Sequence, residues 1–161
     1  MTTAICPGSF DPVTKGHLDI IQRAASMFDK VIVAVLHNSK KNPAFTVQER
    51  MEMIEKVTAE LPNVEVATFD GLLADFARMR SATVLVKGLR AVSDFEYEFQ
   101  MALANRKLNP ELETVFITTK AENMYLASSL VKEIARNGGK IDDFVPDCLR
   151  EEIQKRLVKG K

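Results

Sequence analysis

The sequence is short of the residues that would staple it or cage a metal. It holds two cysteines, Cys6 and Cys148, far apart and without CxxC spacing. A disulfide framework is therefore excluded, and reduced thiols in a cytosolic protein are the expectation. Its two histidines, His17 and His37, are not spaced as a metal pair and have no carboxylate cluster beside them. No HExxH occurs, and neither GxxxxGK[ST] nor GxGxxG is present. A P-loop kinase and a dinucleotide-dependent dehydrogenase are thus disfavoured.

Excess charge is also missing: 22 basic residues balance 22 acidic ones. A broad nucleic-acid binder is usually strongly basic, so nucleic acid is not an expected partner. A local basic pocket for a phosphorylated small molecule stays open. The longest apolar run, Val31 to Leu36, is far too short to span a bilayer. No basic segment leading into a long apolar run opens the chain, so no signal peptide, no membrane partner and a cytoplasmic location are expected. Low-complexity segments, linkers and internal repeats are absent from the pattern.

Apolar residues make up 46% of the 161 residues, enough for a core in one domain over residues 1–161. Short apolar runs alternate with amphipathic ones. Strands are expected at Thr3–Cys6, Val31–Leu36, Val64–Ala67, Thr83–Val86 and Thr114–Thr118. Leu18, Ile21, Ala25 and Phe28 share one helical face after the first strand. Thr46-Val47-Gln48-Glu49 and Ser93-Asp94-Phe95-Glu96 read as capping boxes that open helices. Further helices are expected near Leu72–Arg80, from Ser128-Ser129 to Gly138-Gly139, and from Pro146 to the C-terminus. This order implies a single-domain α/β fold, Rossmann-like and doubly wound, with a five-stranded parallel sheet and a C-terminal helix.

Ligands of such sheets sit at the carboxyl ends of the strands. The loops there read PGSFDPVTKGH, HNSKKNPAFT, KGLRAVSD and TKAENMYLASS. They collect glycine, hydroxyl and basic residues, as an anion site requires. Thr14-Lys15-Gly16-His17 stands at a helix start, whose positive end disfavours a protonated histidine. A neutral imidazole still donates one hydrogen bond to a phosphate oxygen.

GSFDPVTKGH resembles the first signature of the nucleotidylyltransferase superfamily, T/HxGH. Leu126-Ala127-Ser128-Ser129 stands where the second, ISSTxxR, belongs. Lys87-Gly88-Leu89-Arg90 through Asp94-Phe95-Glu96-Tyr97-Glu98 resembles the GLR…DFEYE block of the bacterial phosphopantetheine adenylyltransferase family. The blocks follow in order along essentially the whole chain. The resemblance implies transfer of AMP from ATP to 4′-phosphopantetheine, giving dephospho-coenzyme A and pyrophosphate. It also implies Mg²⁺ with the ATP, a homohexamer, and coenzyme A as a candidate feedback ligand.

Residue by residue, the resemblance puts His17 at the α-phosphate as transition-state stabiliser. Ser9 matches a hydroxyl that contacts both substrates, and Phe10 a backbone contact at the ATP site. Lys41 and Lys87 match positions that bind the phosphopantetheine phosphate, and Leu73 a pantetheine contact. Gly88, Leu89, Arg90 and Glu98 match ATP-site positions, as do Asn123, Met124, Tyr125, Leu126, Ala127, Ser128 and Ser129. Lys132 or Arg136 stands in for the arginine of the second signature. His37 is unassigned.

Each position also has a plain structural reading. Ser128-Ser129 suit a helix cap, and Asp94 and Glu96 a helix start. Phe95, Tyr97 and Phe99 suit a core or a subunit contact. Two other functions compete: a superfamily enzyme with another acceptor, such as nicotinate mononucleotide or glycerol 3-phosphate with CTP, and a nucleotide-binding regulator that has lost turnover. The GLR…DFEYE block speaks against the first, and the retained His17 and cations against the second.

Overall fold

A β-branched run has nowhere to go but the middle of a sheet, and the second strand shows it. In the computed structural model, which describes residues 1–38 and 42–158, β2 (Lys30–Leu36) is buried on both faces through Val31–Val35. β1 (Thr3–Gly8) pairs with it in parallel along its whole length, from Thr3↔Lys30 to Gly8↔Val35. β3 (Val64–Phe69), β4 (Val84–Leu89) and β5 (Glu113–Thr118) complete a five-stranded parallel sheet in the order β3-β2-β1-β4-β5.

Helices cover both faces, because successive strand residues point to opposite sides. Ala4, Cys6, Val31, Val33 and Val86 pack with helices α1 (Lys15–Met27), α2 (Val47–Val57), α5 (Ser128–Arg136) and α6 (Arg150–Val158). Ile5, Ile32, Ala34 and Leu85 pack on the other face with Ala74, Phe76 and Ala77 of α3 (Leu73–Met79). The last long helix, α4 (Val92–Leu108), buries one residue only, Asn105.

The first helix turns its buried face by a residue from the expected one: Ile20, Ile21 and Ala24 are buried, and Leu18, Ala25 and Phe28 only partly. Four local expectations are corrected. Lys87, Gly88 and Leu89 belong to β4 rather than to a loop, because the pairing with β5 runs on to Leu89↔Thr118. Ser93 does not cap α4; the helix starts at Val92 after Ala91, and Asp94 turns to Arg90 instead. Ser128 does not cap α5 either, because its hydroxyl donates to the Pro12 carbonyl at 2.7 Å. Pro146 opens a 3₁₀ turn at Asp147–Leu149 before α6 begins. The Thr46–Glu49 capping box is present as read.

One feature of the sheet makes room for a ligand. β1 and β4 pair only at Ala4↔Val84 and Ile5↔Leu85, then part. Their carboxyl ends carry Cys6-Pro7-Gly8 and Val86-Lys87-Gly88, which form the two sides of an open wedge. This is where strand order reverses direction, the place such sheets bind ligands.

Candidate active site

The wedge widens into a cavity of about 330 Å³. Its walls come from the ends of β1 and β4, the first turn of α1, the N-terminal half of α4 and the start of α5.

The His17 side chain is fixed by the helix it belongs to. Thr14 is the N-cap of α1 and His17 its third helical residue. The Thr14 hydroxyl accepts from the His17 N–H at 3.3 Å, and the Thr14 N–H donates to His17 Nδ1 at 3.0 Å. This is a capping box in which an imidazole replaces the usual Glu or Gln. An accepting Nδ1 carries no proton, so the neutral ring keeps its proton on Nε2. Burial, with the Arg90 guanidinium nearby, lowers the imidazole pKa to about 4. At neutral pH the cavity therefore meets an uncharged N–H donor. The Phe10 ring packs edge-on at 5.0 Å and limits rotation of the imidazole.

Arg90 follows β4 directly. Its backbone N–H and Nε both donate to Asp94 Oδ2, at 3.3 and 3.2 Å, and Nη1 donates to the Leu126 carbonyl at 3.0 Å. The guanidinium is thus aimed before any substrate arrives. Lys87 Nζ lies 3.4 Å from Glu98 Oε2, one turn of α4 further on. Both α4 carboxylates in the cavity are consequently paired with cations. No side-chain acceptor caps α5, so its first N–H groups lack intrahelical partners beside the cavity.

Of the residues singled out from sequence, the cavity brings together Phe10, His17, Lys87, Gly88, Arg90, Glu98, Asn123, Leu126, Ala127 and Ser128. Leu73 lines a separate hollow of about 90 Å³, which shares Lys87 and Glu98 with the main cavity. Ser9, Leu89, Met124, Tyr125 and Ser129 do not line it. Ser9 is exposed, with its carbonyl held by Arg50 at 2.8 Å. Met124 and Tyr125 are exposed too, and Tyr125 meets the Phe144 ring. Leu89 is the last residue of β4 and accepts from the Thr119 N–H at 2.9 Å. Lys41 lies outside the described residues. His37 is exposed and not part of the cavity. Lys132 Nζ pairs with Asp11, and Arg136 is exposed.

Sequence reasoning missed Asp94 as the group that aims Arg90, Thr119 as part of the wall, and Asn105 beside Leu73. The i,i+4 spacing of Arg90 and Asp94 was a usable signal, but a strand-to-helix junction lies between them. Asn105 and Leu73 stand on different helices, so no local pattern joins them.

No cluster of three His, Cys, Asp or Glu side chains that would hold a metal occurs among the described residues. Nor, among them, is any helix long and apolar enough to cross a membrane.

A doubly wound sheet with a helix-start histidine and paired cations at its switch point suits the phosphates of a nucleotide. The cytidylyltransferase-like family model matches residues 5–134. Two solved structures share the fold over nearly their whole length. One, from Vibrio parahaemolyticus, is assigned as a nicotinate-nucleotide adenylyltransferase (TM-score 0.71, 16% identity, covering 100% of this chain and 98% of that one). The other is the Plasmodium falciparum nicotinic acid mononucleotide adenylyltransferase complexed with NaAD (TM-score 0.65, 12% identity, 98% and 95% covered). Sequence relatives narrow the class. The phosphopantetheine adenylyltransferase of Caldanaerobacter subterraneus is 57% identical over 160 residues, 99% of this chain and 100% of that protein. That of Alkaliphilus metalliredigens is 54% identical over 156 residues, 97% and 99% covered. The chain belongs to the phosphopantetheine adenylyltransferase family.

Proposed function

We propose that this chain transfers AMP from ATP to 4′-phosphopantetheine, giving dephospho-coenzyme A and pyrophosphate. The observation that carries the mechanism is the neutral His17, locked by Thr14 with its remaining N–H available to a cavity that also holds Arg90 and the start of α5.

The nucleophile is a phosphate monoester, with a second pKa near ~6, so it arrives largely dianionic and needs no general base. The residues agree: Asp94 and Glu98 are engaged by Arg90 and Lys87. An oxygen of the phosphopantetheine phosphate attacks the α-phosphorus of ATP in line. The bond from that phosphorus to the β-bridging oxygen breaks, and pyrophosphate leaves with the electron pair. His17 donates to a non-bridging α-oxygen as charge gathers there, and Arg90 and the α5 N–H groups bind the β- and γ-phosphates. Lys87, with Lys41, draws in the acceptor phosphate. The hollow at Leu73, with the Asn105 amide among its walls, suits an apolar arm that carries amides.

Mg²⁺ enters with ATP. Bound through phosphate oxygens and water, it would neutralise charge on the polyphosphate. The enzyme works as a cytoplasmic homohexamer. Support for self-association comes from α4, where Val92, Tyr97, Phe99, Leu103 and Leu108 are each about half exposed or more. Coenzyme A combines a pantetheine arm with an adenylate, so it competes for the same cavity as a feedback ligand.

Pyrophosphate release from MgATP tests the reading, with phosphopantetheine and nicotinate mononucleotide as parallel acceptors. Release with phosphopantetheine alone is expected. Release with nicotinate mononucleotide alone moves the chain to another acceptor. ATP binding without release in either arm makes it a regulator.

A further inference from the structure

Two charged residues outside the cavity brace the turn that carries its chemistry, Asp11 within it and Lys132 on α5. Asp11 is 6% exposed, lies next to Phe10, and stands three residues before Thr14, so it is flanked by the two residues that hold His17. Its carboxylate is fully engaged. Oδ1 accepts from the Phe45 N–H at 2.9 Å, and Oδ2 accepts from the Ala44 N–H at 2.9 Å and from Lys132 Nζ at 3.1 Å. Lys132 sits one turn after Ser128 on α5, and Ser128 donates to the carbonyl of the very next residue, Pro12. Two side chains on one face of α5 thus grip two consecutive residues of the turn. From the other side, the buried Arg50 donates to the Ser9 and Leu36 carbonyls, and to that of Phe45. Neither Asp11 nor Lys132 lines the cavity.

We infer that Asp11 and Lys132 are a positioning pair: their ion pair sets the Phe10–Thr14 turn, and with it the His17 imidazole, against the phosphate-binding start of α5. This inference rests on the adenylyl-transfer reading above. Lys132 is one of the two cations, with Arg136, that the second signature suggested for phosphate, and the geometry redirects it. Its ammonium is committed to a carboxylate rather than held for substrate. Buried ion pairs seldom add net stability over apolar residues of the same shape, whereas in some proteins they specify geometry. In-line transfer is sensitive to geometry, since a shift of about 1 Å costs about 100-fold in rate.

The test uses Lys132→Met, Asp11→Asn and the double variant, in which neither charge is left alone should a single variant fail to fold. Steady-state pyrophosphate release is measured for both substrates, and the His17 tautomer is read at neutral pH by ¹⁵N NMR of histidine-labelled protein. Each folded variant is expected to lose roughly 10–100-fold in kcat, with KM for MgATP and phosphopantetheine changed less than about threefold. The double variant should lose no more than the worse single, as a pair acting together requires. Lys132→Arg should recover part of the rate. The His17 Nδ1 signal, unprotonated in the parent, should show mixed tautomers in the variants. This readout stays decisive even if the parent releases no pyrophosphate, the result that sinks the catalytic reading itself. A tenfold rise in KM for MgATP at unchanged kcat overturns the inference and makes Lys132 a phosphate ligand. A lower Tm with kcat and tautomer unchanged overturns it in favour of a purely structural pair.

Discussion

In the proposed mechanism His17 serves the fold and the reaction through different atoms, so the two contributions can be separated. Nδ1 closes the capping box with Thr14, while the proton on Nε2 is the proposed transition-state donor. Gln at the same position is an ordinary capping-box residue, and it keeps an acceptor for the Thr14 N–H while removing the imidazole N–H. His17→Ala removes both. Losing the cap costs about 1 kcal/mol, a Tm shift of about 2–4 °C in a chain of this size. Losing one preorganised donor to developing charge costs about 100- to 1,000-fold in kcat, or about 3–4 kcal/mol. Differential scanning calorimetry and steady-state pyrophosphate release give both numbers. His17→Gln should melt within about 1 °C of the parent, and His17→Ala about 2–4 °C lower. Both should fall together in kcat, with ATP affinity by titration calorimetry nearly unchanged. A kcat within tenfold of the parent in His17→Ala, which leaves no side-chain donor, refutes the donor role. A matching loss of ATP affinity makes His17 a ground-state binding residue.

The same imidazole predicts a pH dependence of stability. Its folded pKa of about 4 lies below the unfolded value of about 6.5, so between those values the unfolded chain binds more protons. Stability should rise by up to about 3 kcal/mol from pH 4 to pH 6.5 and hold above it, and this segment of the Tm–pH curve should flatten in His17→Gln. Arg90→Met should raise KM for MgATP by roughly 10–100-fold, since a charge-assisted hydrogen bond contributes about 1.5–3 kcal/mol; an unchanged KM removes Arg90 from the triphosphate. Cys6 is buried and its thiol is pushed up to about 12, whereas Cys148 is exposed. Ellman's reagent should therefore titrate one thiol in the native protein and both in denaturant, and rapid native modification of both would contradict the buried wall. A Cβ at Gly8 would stand 3.0 Å from the Phe10 ring, which packs on His17. Gly8→Ala should accordingly lower kcat more than it lowers Tm, and a kinetically silent Gly8→Ala would mean that Phe10 does not restrain the imidazole.

Much of this arrangement was legible in one dimension because its determinants are local. β-branched runs separated by amphipathic segments dictate a parallel sheet covered on both faces. A hydroxyl three residues before His17 suits a helix start there, whereas burial and the nearby Arg90 are what hold the histidine neutral. The family blocks lie within those same stretches, so His17, Arg90 and Ser128 could be singled out from sequence alone, and the structure brings them to one cavity. Tertiary structure decided what depends on partners distant along the chain. β4 runs on through Lys87-Gly88-Leu89 because β5 is there to pair with it. Ser128 gives up the capping role that its position suggests because the Pro12 carbonyl, 116 residues earlier, lies 2.7 Å away. Lys132, which the sequence offered together with Arg136 as a cation for phosphate, pairs with Asp11 across 121 residues. Hydrogen bonds and ion pairs act only within a few ångströms, and chain separation carries no record of which groups the fold will bring that close.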